Sequence, residues 1–208
     1  MKKAIIGKKL GMTQIFLGNG QVVPVTVVEA GPCVVVQKKT MENDGYSAIQ
    51  IGFGDIAERK MNKPEAGHFK KSNLAPRRVL KELRLENAQD YEVGQSLTCD
   101  LFAVNEFIDV SGISKGHGFT GSIKRWNHHR GKMTHGSKFH RSPGTLAARA
   151  AARVPKGRKL PGHYGVDNTT ILNLRVVRVI ADRNLLLVRG SVPGQVGCLL
   201  TIKNAAKK

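Results

Sequence analysis

Thr13–Ala30 reads TQIFLGNGQVVPVTVVEA. Two runs rich in β-branched and aromatic residues flank Gly18-Asn19-Gly20-Gln21, and a turn-rich tetrapeptide between strand formers predicts a β-hairpin. The pattern continues outward. After Gly31-Pro32, CVVVQKK (33–39) is strand-like and closes on the turn signal Asn43-Asp44-Gly45. YSAIQIGFG (46–54) alternates, which sets Ile49 and Ile51 on one face and Gln50 on the other. Near the other end, ILNLRVVRVI (171–180), the turn Ala181-Asp182-Arg183-Asn184 and LLLVRG (185–190) predict a second hairpin, and CLLTIK (198–203) a last strand. Short strands separated by Gly and Pro are the pattern of an all-β barrel or sandwich. With β segments at both ends of the chain, the economical fold is mainly β: a barrel whose late strands return after a large excursion.

Two stretches break the strand pattern. Asp55–Leu80 is polar, basic and interrupted by Pro64 and Pro76, so it predicts an irregular basic insertion with about one helical turn. LKELRLE (80–86) and GQSLTCDLF (94–102) resume order, which bounds a smaller inserted α+β or irregular segment at about 55–98. FIDVSGISKG (107–116) then leads into the second and longer excursion. Little in that excursion could drive a core beyond Ile113, Phe119, Ile123, Trp126 and the Ala-rich stretch 146–152, which predicts a turn or two of helix from its Ala and Arg content.

Composition narrows the partners. The 208 residues carry 34 Lys and Arg against 15 Asp and Glu, a formal charge of +19. Such a charge opposes compaction and attracts polyanions. The longest apolar runs, Val22–Val28 and Cys33–Val36, fall far short of the roughly 20 residues of a bilayer helix. Lys8 and Lys9 interrupt the apolar run of MKKAIIGKKLGM too soon for a signal peptide, so the expected location is cytosolic, without a membrane partner. Cys33, Cys99 and Cys198 are odd in number and far apart, with no CxxC. They predict small buried hydrophobes and no disulfide framework or zinc knuckle.

Between Asp109 and Asp167 there is no carboxylate, while twelve Lys and Arg and six of the seven His lie there. Without internal counter-charge such a segment repels itself, and loops longer than about 15 residues are usually functional or disordered. Three occupants compete. A metal bound by His128, His129, His135 and His140 would face the surrounding cations, and the spacing fits no common zinc pattern. Gly116-His117-Gly118-Phe119-Thr120-Gly121 fits GxGxxG, but the dinucleotide fingerprint needs a long helix next and an acid about 20 residues on. A nucleic-acid backbone supplies the missing anions; Gly allows close backbone approach, Arg pairs with phosphate, and Trp and His stack on unpaired bases. A merely solvated face would mix Lys with Glu rather than Arg with Trp, His and Gly. A major-groove helix is absent from the pattern, as are a nucleophile with its base, paired carboxylates and a phosphate loop, so neither a DNA-binding protein nor an enzyme is predicted.

SKGHGFTGSIKRWNHHRGKMTHGSKFHRSPG (114–144) resembles the central-extension signature of the ribosomal protein L3 (uL3) family. IIGKKLGMTQIF (5–16), DGYSAIQIGF (44–53), KPEAGHF (63–69) and VVRVIADRNLLLVRGSVPG (176–194) continue the resemblance in order along the chain, and the length matches bacterial-type members. The resemblance implies a structural constituent of the large ribosomal subunit that is not an enzyme, takes no cofactor or small-molecule substrate and resides in the cytoplasmic ribosome. It implies primary binding of large-subunit (23S-type) rRNA near its 3′ end, nucleation of subunit assembly, and ribosomal proteins L14 and L19 as neighbours. It also implies a small translation-protein-type β-barrel, over 1–113 and 166–208, with a long basic extension over 114–165 reaching toward the peptidyl-transferase centre. Many bacterial members carry a methylated Gln in a PGSIGQ-like segment. Here Pro143–Arg149 contains no Gln, so that modification is not expected.

The candidate rRNA contacts in the extension are Lys115, His117, Lys124, Arg125, Trp126, Asn127, His128, His129, Arg130, Lys132, His135, Lys138, His140, Arg141, Arg149, Arg153, Lys156, Arg158, Lys159 and His163. From the barrel side, Lys2, Lys3, Lys8, Lys9, Lys60, Lys63, His68, Lys70, Lys71, Arg77 and Arg78 are expected to add contacts collectively.

Overall fold

In the computed structural model, which describes residues 3–207, the opening hairpin forms as its sequence predicts. β1 (Ala4–Phe16) and β2 (Val22–Ala30) pair antiparallel with Ile15 opposite Val23, and a register shift between Lys9 and Gly11 bends the long first strand. The later strands are β7 (Phe107–Ile113), β10 (Asn168–Ile180), β11 (Leu185–Arg189) and β12 (Leu199–Asn204). Together with β1 and β2 they close into a six-stranded antiparallel barrel in the order β1-β12-β7-β10-β11-β2. Its interior follows from alternation: Ile5, Val28, Ile108, Val110, Val176, Leu186, Val188 and Ile202 are fully buried, each contributing roughly 1.5–3 kcal/mol through removal from water. Asp109, also buried, is satisfied by backbone N–H donors from Asn173 at 2.9 Å and Ala206 at 3.2 Å.

The strands after Gly31-Pro32 do not join the barrel. β3 (Cys33–Lys39) pairs with β4 (Ala48–Asp55) across a four-residue helix, α1 (Met41–Asp44), and forms the middle of a separate four-stranded sheet ordered β5-β4-β3-β6. β5 is Arg77–Leu83 and β6 is Ser96–Leu97. Ile49 and Ile51 are fully buried while Gln50 is half-buried, as the alternation predicts. The barrel and this sheet share one core, in which Val35, Ile49, Leu97 and Phe102 join Ile5, Ile108 and Leu200.

The 55–98 stretch is more ordered than its composition suggests. It holds α2 (Lys63–Lys71), the edge strand β5 and short 3₁₀ turns. Asn62 and Glu65 form a capping box at the helix start, Pro64 sits in its first turn, and Phe69 is the residue it buries. Tertiary pairing of β5 with β4 then overrides the weak local signal. Cys33 and Cys99 are buried free thiols, whereas Cys198 is only partly buried. No helix among the described residues is long and apolar enough to cross a membrane.

The chain divides into two compact units: one runs up to Ile113 and resumes at Asn168, and the other is Ser114–Asp167. Ile113 and Asn168 are register partners in the β7–β10 pair, so the barrel holds the two attachment points of the insertion side by side.

Candidate nucleic-acid interface

Within Ser114–Asp167 not one apolar side chain is buried. The segment carries twelve of the chain's 34 Lys and Arg and a single acid, Asp167, so +11 of the formal +19 lies in about a quarter of the residues. What organises it is polar and backbone bonding. Ser114 N–H donates to Asp167 O at 2.9 Å, His117 N–H to Tyr164 O at 2.8 Å and Tyr164 N–H to Gly118 O at 3.0 Å. β8 (Phe119–Thr120) pairs with β9 (Gly162–His163) just beyond, and the His117 and Tyr164 rings stack at 5.1 Å. The two ends of the arm thereby form a narrow antiparallel stalk.

Close approach makes two glycines necessary here. A Cβ on Gly165 would stand 2.0 Å from the Lys115 carbonyl oxygen, and one on Gly131 would stand 1.8 Å from that of Phe139. At Gly131 the approach accompanies a backbone bond, Gly131 N–H to His140 O at 2.9 Å, while His140 Nδ1–H donates to Lys132 O at 3.1 Å.

The helix after the glycine motif, α3 (Ser122–Trp126), has five residues and ends at Asn127 with φ 57°, so no dinucleotide-type helix follows Gly121. α3 places Arg125 and Trp126 together. Arg125 Nη1–H and the Trp126 indole N–H each donate to the Leu160 carbonyl at 3.0 Å, and the Arg125 guanidinium lies 5.0 Å from the indole ring centre. The Lys159 ammonium lies 5.9 Å from the same ring. Trp126 remains 39% exposed, so it is anchored at its edge and flanked by two cations yet still open to solvent. Next to it, His128, Lys156, Arg158 and Lys159 line a cup of about 390 Å³. Arg158 also donates to the Thr145 carbonyl, which ties 156–159 to the Ala-rich stretch. There the chain makes one 3₁₀ turn (Arg149–Ala151) in place of the longer helix its composition predicts, because Ala152 turns left-handed at φ 48°.

The arm's cations point outward: Lys115, Lys124, Arg130, Lys132, Lys138, Arg141, Arg149, Arg153, Lys156, Arg158 and Lys159 are exposed, as are His117, His129, His135 and His163, while Arg125, His128 and His140 are half-buried. In the other unit, α2 and its flanks bring Lys60, Lys63, Lys70, Lys71 and Arg78 together as an exposed basic patch. His68 is engaged there, its Nε2–H donating to Gln50 Oε1 at 2.7 Å, and Arg77 pairs with Asp55.

Comparison with known proteins decides the lineage. A family model described as ribosomal protein L3 matches residues 82–184. The "large ribosomal subunit protein uL3" of Carboxydothermus hydrogenoformans is 60% identical over 207 residues, covering all of this chain and 99% of its own. The protein of the same name from Pelotomaculum thermopropionicum is 59% identical with the same coverage. The chain belongs to the ribosomal protein L3 family. The matched stretch of this L3-family chain runs from β5 through the whole arm and into the turn after β10.

Two of the expected contacts are engaged within the protein itself. Lys9 is buried, 8% exposed, and its ammonium donates to the Val192 and Gly194 carbonyls at 2.9 Å each. It fastens the bulge of β1 to the 192–194 loop and has no surface to offer a phosphate. Lys3 is likewise committed, to Leu101 O and to the Glu106 carboxylate at 2.9 Å. Lys8 is exposed, and Lys2 lies outside the described residues. Sequence reasoning could have found Lys9, since it shares a strand face, at a spacing of two, with Ile5 and Gly7.

Proposed function

We propose that this L3-family protein is a structural constituent of the large ribosomal subunit, in the bacterial cytoplasm, that binds large-subunit rRNA near its 3′ end through the 114–167 arm. One observation carries the reading: the arm buries no apolar side chain yet exposes eleven of its twelve Lys and Arg. A segment with no apolar core and a single acid against twelve cations needs an external polyanion to hold a single path, and rRNA phosphates meet that need. The barrel, with its own core, is the anchor. The α2 patch adds phosphate contacts from the anchor side. The arm's direction toward the peptidyl-transferase centre, a role in nucleating assembly and the neighbours L14 and L19 follow from family resemblance and are part of the proposal. No chemistry is assigned to the protein; it positions RNA.

The test is salt dependence. Ile113 and Asn168 are already paired, so replacing 114–167 by a short turn leaves the barrel's strand ends joined. Each phosphate neutralised contributes about 0.7–0.9 to the log–log slope of affinity against salt. The intact protein should therefore show a slope steeper by several units, up to about 8–10 if each of the eleven exposed cations meets a phosphate. Equal slopes for the two proteins would refute the arm as the principal RNA contact. Crosslinking in native subunits tests L14 and L19 as neighbours.

A further inference from the structure

α2 and β5 line a cleft that phosphate contacts alone leave unused. Ile56, Met61, Phe69 and Leu80 form apolar walls, Arg77 and Arg78 stand beside them, and the cleft encloses about 490 Å³, within the ~300–1,000 Å³ of small-ligand sites. Leu80 is an apolar side chain held open to solvent, 38% exposed, next to the exposed guanidinium of Arg78. Arg77 directs its terminal group to Asp55, which leaves Arg78 as the guanidinium open to a ligand. Residues 58–78 carry seven Lys and Arg against two Glu. One of those two, Glu65, is engaged at the Asn62 N–H in the helix cap.

An occupant must combine a flat apolar face and negative charge. We infer that the cleft receives one unstacked nucleotide of the bound RNA, its base against Met61 and Leu80 and its phosphate against Arg78. The charge of the segment that builds the cleft favours RNA over a protein segment poor in acids: Arg77 and Arg78 line it beside a single acid, Glu65, and residues 58–78 as a whole are net basic. This inference rests on the RNA-binding reading above.

The experiment uses the full-length protein and transcribed large-subunit rRNA. Met61→Ala combined with Leu80→Ala removes base stacking without altering charge. Affinity should fall about ten-fold at fixed salt with the salt slope unchanged, whereas Arg78→Gln should make the slope shallower by about 0.7–0.9. Ultraviolet crosslinking of the wild-type complex should attach a nucleotide to the 61–80 peptide, a readout independent of how well the variants fold. Unchanged affinity in the double variant, with crosslinks confined to 114–167, would overturn the cleft while leaving the arm's role standing. Crosslinks from 61–80 to a protein neighbour in native subunits would also overturn it. Failure of the wild type to bind rRNA at all would remove the RNA-binding reading and this inference with it.

Discussion

Lys9→Met separates a fastening lysine from a phosphate contact. The substitution keeps the length and most of the apolar stem of the side chain while deleting an ammonium that donates to Val192 O and Gly194 O, both at 2.9 Å. Hydrogen bonds to a charged group contribute about 1.5–3 kcal/mol each, and both carbonyls lose a donor within a buried site. Against this, methionine avoids the cost of holding a charge away from water. The net expectation is a loss of about 2–4 kcal/mol. At roughly 2–4 °C per kcal/mol for a unit of this size, the thermal midpoint should fall by about 4–16 °C. Lys8→Met is the paired control: Lys8 is exposed on the same strand, and its loss should cost less than about 0.5 kcal/mol. The assay is calorimetric or circular-dichroism melting of full-length protein, beside rRNA binding across salt. If Lys9→Met melts with the wild type and its binding slope drops by about 0.7–0.9, Lys9 contacts phosphate and the burial argument is wrong.

Burial raises the Cys33 thiol to about 11 from its ordinary 9.0, with its bond to the Ile6 carbonyl opposing weakly. A raised folded-state value means that stability is intact below pH 9 and is lost as pH climbs toward 11. The wild type should lose about 2–3 kcal/mol more than Cys33→Ala across that window in denaturant unfolding; parallel curves would contradict the assignment. Trp126→Ala should leave the melting of the free protein within a degree or two, because the arm has no core, yet weaken rRNA binding roughly 5–100-fold through lost stacking. A large fall in thermal midpoint would instead make the indole a structural pin. Peptide mass spectrometry of native protein should find no methylated side chain between Gly144 and Gly157, and a methylated residue there would refute the expectation drawn from the missing Gln.

Strand identity was legible where β-branched alternation met turn residues, as in β1–β2 and β10–β11. Partner choice was not. Nothing local to CVVVQKK tells a barrel strand from a strand of the second sheet, because pairing depends on what the chain brings alongside later. α2 is longer than the single turn its stretch predicts, because its lysines and Gly67 mask a helix that buries only Phe69; the Asn62-x-x-Glu65 cap is its clearest local signal. The arm's chemistry was the most legible feature, since the lack of carboxylates from 110 to 166 is a property of composition. The burial of Lys9 is hard to read for the complementary reason: lysine is rarely buried, so its residue type outweighs its place on the strand.

The pairing of Ile113 with Asn168 has a consequence for how such a protein can vary. Because the barrel already clamps both ends of the insert, the entropy of closing it grows only logarithmically with its length, and doubling the insert adds about 0.6 kcal/mol. Length is thus decoupled from fold: lineages can lengthen, trim or rewrite the insert while the six strands that hold its ends stay under a separate selective pressure.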